Sequence, residues 1–144
     1  MSAPTPPPEP PTPEGRARPE RVVGIFVTVV WASIVFAVYG VLAAILDRDP
    51  IEHPVGPFYG ILALALAGLV VYLGIQLTTP VRSPWLGAVA TGAGVYLVIV
   101  VAAAVVDFGL AVAQALSPFV LVAAVLGAGT VVAVWAVLAR RRAP

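Results

Sequence analysis

This chain of 144 residues contains no cysteine and no lysine, and it contains one histidine. Without cysteine there are no disulfides, no thiolate metal sites and no cysteine nucleophile. Without lysine there is no phosphate-binding loop of the G-x-x-x-x-G-K-[ST] type. A single histidine leaves neither a hydrolytic triad nor a zinc-protease helix to assemble, so catalysis is not expected. Charge is scarce as well: 10% of residues are charged, against roughly 25% in a soluble domain. A net charge of +1 with no basic patch points away from nucleic acid. No cofactor is expected.

Apolar sequence fills the space that charge leaves. Hydrophobic residues make up 60% of the chain, gathered into Val22–Leu46, Pro57–Leu77, Leu86–Val106 and Phe119–Ala139. None of these stretches holds an ionisable residue. A helix rises about 1.5 Å per residue and the hydrocarbon core is roughly 30 Å thick, so ~20 residues span it. All four meet that length, and the first exceeds it enough to tilt or emerge. The expected fold is all-α, a four-helix transmembrane bundle (22–142) in contact with the lipid bilayer.

Residues 1–21 carry eight of the prolines and nothing large and apolar beyond Met1. Such a segment buries too little to offset the entropy of ordering, so a disordered, extended tail is expected. Its P-x-x-P spacings fit proline-binding domains, although a solvated tether is the reading expected. The apolar run that follows is too long for a cleaved signal peptide, which makes it a retained span. Arginine sets the orientation. Arg16, Arg18, Arg21, Arg82, Arg140, Arg141 and Arg142 flank one side and Arg48 the other, seven against one. Basic flanks stay inside, which predicts cytoplasmic termini in a cell-membrane protein, with Asp47–Gly56 and Asp107–Pro118 outside. All-arginine basicity, with abundant Ala, Val, Gly and Pro, suggests a bacterial gene of high G+C content.

Helices in lipid pair through small residues and a few hydrogen bonds. The faces expected to touch are Gly24/Thr28/Ala32 and Ser33/Ala37 in the first span, and Ala88/Gly92 and Ala90/Gly94 in the third. In the fourth they are Ala123/Gly127 and Ala124/Ala128. Hydroxyls of Thr28, Ser33, Thr91 and Thr130 can bond back to their own helices. Trp85, Trp135, Phe58 and Tyr59 sit near the expected interfaces, and Trp31 sits mid-span. Tyr39-Gly40-Val41-Leu42-Ala43 is echoed by Tyr59-Gly60-Ile61-Leu62-Ala63, and Gly92-Ala93-Gly94 by Gly127-Ala128-Gly129. Repeats mark transporters, but in so small an alphabet such matches also arise by chance.

Few residues suggest a site. Asp49, Glu52 and His53 in the first outer loop could offer O and N ligands to a divalent cation. Pro50 and Pro54 oppose aligning them, so a solvated turn is expected and no metal. Asp107 follows the third span directly and, counted from Leu86, emerges at the outer headgroup level. A later start of that span would carry it deeper, where an acid is functional by default, which makes it the best single candidate.

The layout of residues 22–142 resembles small four-span membrane proteins of actinobacteria grouped as domains of unknown function. The features in common are a Pro/Arg tail, Asp47-Arg48-Asp49 after the first span and an arginine stop. That resemblance implies a membrane location and no known activity. Small multidrug exporters carry an acid in their first span, and Val22–Leu46 has none. The pore motifs of fluoride channels are not found either. The function expected is a non-enzymatic accessory or scaffold protein that binds other membrane components. The alternative is a small homo-oligomeric pore or transporter.

Overall fold

The computed structural model describes residues 13–51, 55–56, 58–79 and 83–142, with side chains from 21 to 140. Its elements are α1 (Pro13–Leu46), α2 (Tyr59–Thr78), α3 (Trp85–Val106), α4 (Phe108–Ala115) and α5 (Pro118–Arg142). Four of them are long and apolar enough to cross a membrane: Arg21–Leu46, Tyr59–Thr78, Trp85–Val106 and Pro118–Arg140. In hydrocarbon every backbone amide must find its partner within the structure, so even Val-rich stretches become helices. We call the end bearing the α1–α2 connection and α4 the loop end, and the opposite end the terminal end.

Two differences from expectation concern helix limits. The backbone of Pro13–Arg21 belongs to α1, where an extended chain is expected. Proline at the first helical position loses no bond, since that N–H is free in any helix. Residues 1–12 lie outside the described residues. Residues 108–115, expected as loop, form α4.

The stops have local causes. Asp47 takes φ 48°, and the Arg48 amide reaches the Ala43 carbonyl at 3.2 Å. This is a left-handed C-terminal cap, a conformation aspartate tolerates better than most residues. Asp107 ends α3 and begins α4. Its amide bonds the Ala103 carbonyl at 2.9 Å, its backbone is extended, and its Oδ1 accepts from the Leu110 amide at 3.0 Å. Pro118 stands first in α5, with the Ser117 carbonyl accepting from Leu121 at 3.4 Å.

Near the terminal end α2 and α3 interlock. A Cβ on Gly94 would lie 2.8 Å from Val70 Cγ1, and Cβ atoms on Gly74 and Gly87 would collide with the Thr91 and Thr78 hydroxyls. The pairs Val70–Gly94, Gly74–Thr91 and Thr78–Gly87 run antiparallel, so each glycine seats a side chain of the facing helix. Close backbone approach replaces the missing hydrophobic drive. On α3's other side, a Cβ on Gly92 would lie 3.1 Å from the Ala124 carbonyl oxygen and 3.3 Å from Ala128 Cβ. In α1, Gly24 faces Tyr72 and Gln76, while Thr28 packs on Gly68. Expected small-residue faces are therefore used in α1, α3 and α5. Ser33/Ala37 is not: both residues are exposed. Ala90 is exposed too, although Gly94 is in contact.

Trp31, 1% exposed, anchors the core with Val35, Val71, Val95 and Val131. Hydroxyls of Thr28, Ser33, Thr91 and Thr130 donate to the carbonyl four residues back at 2.7–3.0 Å. They consume their own polarity within one helix.

Candidate functional site: a cavity at the loop end

α4 doubles back along α3. Leu110 and Ala111 cluster with Ala103 of α3 and with Tyr59 and Ala63 of α2. Further in, the Tyr96 hydroxyl donates to the Ala115 carbonyl at 2.9 Å. Tyr96 stands about 15 Å of helical rise from Val106, so α4 enters the bundle before α5 carries the chain on. An irregular backbone at such depth survives when protein covers it and its polar groups are bonded. Here Gln114, 6% exposed, donates through Nε2 to the Pro50 carbonyl at 3.1 Å, tying α4 to the α1–α2 connection.

This arrangement leaves a cavity of about 640 Å³ between α1 and α2, floored by Val35 and Ile99 and covered by Pro50, Ile51 and Val55. From α1 it is lined by Tyr39, Gly40 and Ala43, and from α2 by Tyr59, Gly60 and Ala63. These are the matching positions of the two Tyr-Gly-x-Leu-Ala segments, which α1 and α2 bring to one space. At its edge Phe36 and Ile61 are 69% and 66% exposed on the flanks of their helices. The Tyr39 ring packs edge-on against Phe119, centroids 5.3 Å apart. Tyr59 is 8% exposed, and its hydroxyl is buried without a hydrogen-bond partner. Leaving such a group unbonded costs about 1–3 kcal/mol.

A smaller hollow of about 320 Å³ lies beside it, lined by Arg48, Asp49, Leu116, Ser117 and Phe119 among others. Pro50 and Gln114 line both spaces, so their hydrogen bond forms part of the partition.

The residues singled out from the sequence take different places. Asp107 is exposed and caps α4, and it lines neither space. Asp49 is exposed and borders the smaller hollow. Glu52 and His53 lie outside the described residues. Among the described residues no three His, Cys, Asp or Glu side chains gather as metal ligands. Tyr59 and Gln114 are absent from the sequence candidates. Tyr59 reads as an interfacial aromatic and Gln114 falls in the outer segment expected over 107–118, yet the repeated Tyr-Gly-x-Leu-Ala segments supply seven of the sixteen lining residues. No known family model matches this chain, and no curated protein or solved structure is significantly similar to it.

Proposed function

We propose that this protein is a non-enzymatic accessory or scaffold component of the cell membrane, with both termini cytoplasmic, that binds another membrane protein through α1. The observation that carries this reading is how little of α1 the bundle uses. Of its most apolar window 11% is buried, against 28%, 22% and 28% in the other three spans. Ile25, Phe26, Val29, Phe36 and Val41 stand exposed along it. A helix uncharged from Val22 to Leu46 and held loosely on one side of a bundle suits lateral association by side-chain packing.

A photo-crosslinking amino acid at Phe26, compared with one at Val125 on α5 (70% exposed), tests this in intact cells. The reading expects a discrete adduct with another protein from Phe26 and none from Val125. Adducts of the chain with itself from both positions favour a homo-oligomeric pore. Lipid adducts alone would sink both. Orientation is checked with cysteines placed at Ser2 and Ala139, which should react from the cytoplasmic side only.

A further inference from the structure

We propose that the loop-end cavity binds one ester-linked acyl chain of a membrane glycerolipid. The chain extends toward Val35 and Ile99, and its ester carbonyl accepts a hydrogen bond from the Tyr59 hydroxyl. Phe36 at its edge also lies on the exposed face of α1, so a protein partner seated there would border the same lipid.

Four observations converge on that occupant. The edge of the cavity carries Phe36 and Ile61, exposed on helices that span the membrane, so it borders acyl chains rather than water. Its volume of about 640 Å³ falls among those of small-molecule sites, commonly ~300–1,000 Å³. Among the described residues no carboxylate, guanidinium or imidazole lines it, which suits the uncharged part of a lipid. Finally, Tyr59 is the first residue of α2, near the level where a bilayer passes from chains to ester groups. Its hydroxyl is buried beside the cavity without a partner, and an ester entering there supplies the missing acceptor once the side chain turns toward it. Lipid esters are acceptors at that depth.

The full chain is reconstituted in phosphatidylcholine nanodiscs doped with phosphatidylcholine bearing a diazirine on one acyl chain, and the adducts are mapped. Labelling should concentrate in residues 35–43 and 59–64. Gly40→Leu places a side chain where a Cβ meets nothing within 4 Å, filling the space without a clash at its first atom. It should lower that labelling severalfold while labelling around Val125 stays constant. Even labelling of all lipid-facing positions, or labelling that Gly40→Leu leaves unchanged, overturns the site. The ester contact has its own measurement, retention of ester-linked against ether-linked phosphatidylcholine by native mass spectrometry. The wild type should favour the ester lipid about two- to tenfold, the factor supplied by one net hydrogen bond. Tyr59→Phe removes one oxygen and keeps the ring, so it should erase that preference with the fold intact. Equal retention of both lipids by the wild type overturns the proposed contact.

Discussion

The terminal half of the bundle and its loop end solve opposite problems with the same alphabet of residues. Toward the terminal end, glycines of α2 and α3 admit threonine and valine side chains so closely that a methyl group has no room at Gly74 or Gly87. Toward the loop end, Gly40 faces open space and a cavity separates α1 from α2. The polar groups divide in the same way. Deep hydroxyls close on their own helices, whereas Tyr96, Gln114 and Asp107 make hydrogen bonds that shape the loop end. In lipid the apolar surroundings do not press helices together, so a bundle is tight where small residues allow it. Directed hydrogen bonds can then hold another part in an open form.

The comparison breaks most severely if the closed half is hollowed. Trp31→Ala removes the largest fully buried side chain and should destabilise the bundle by about 3 kcal/mol or more, through lost contacts and a residual cavity. Reversible unfolding in mixed micelles measures it. Next in size is crowding. Gly74→Val sets a branched side chain against Thr91 and should cost about 1–3 kcal/mol. Gly40→Leu, a larger substitution in the open half, should cost nothing measurable. Equal losses at Gly74 and Gly40 would erase the distinction between the halves.

How much of this was legible beforehand follows from what each feature depends on. The spans were legible because a bilayer imposes a length and forbids charge, and both are written in the run of side chains. Val22–Leu46 differs from the structural span Arg21–Leu46 by one residue. Gly24, Gly92 and Gly127 were legible as contact positions because small residues are where helices approach. Ser33/Ala37 has the same pattern and no neighbour, since composition says which residues can touch and not which helix arrives. α4 was illegible for another reason. Eight residues are too few to declare a helix by length, and its stability comes from the Asp107 cap and from burial of Leu110, Ala111 and Gln114. The burial of Tyr59 was illegible because an aromatic at a span end ordinarily meets headgroups, whereas Leu110 and Ala111 of α4 pack beside this one.

Smaller effects sharpen the account of the loop end. Asp107→Ala deletes the cap of α4 and should cost about 1 kcal/mol, whereas Asp107→Asn keeps a good capping side chain and should cost little. The same pair separates roles in a flux assay. A pore that uses the carboxylate loses conductance in Asp107→Asn, and a structural cap does not.

The least costly change tests the partition. Gln114→Leu removes the bond to the Pro50 carbonyl but returns an apolar side chain of similar size to a buried position. Losing a single hydrogen bond this way is worth about 0.5–1.5 kcal/mol, and the apolar replacement offsets part of it. Global stability should therefore barely move. The local effect should exceed the global one, because this bond is what ties the α1–α2 connection to α4. Amide exchange at Ile51, next to the released carbonyl, should accelerate clearly while exchange in α2 and α3 near Gly74 and Thr91 stays slow. If exchange accelerates equally in both places, the loop end is not an independently opened region, and the bundle is one cooperative unit throughout.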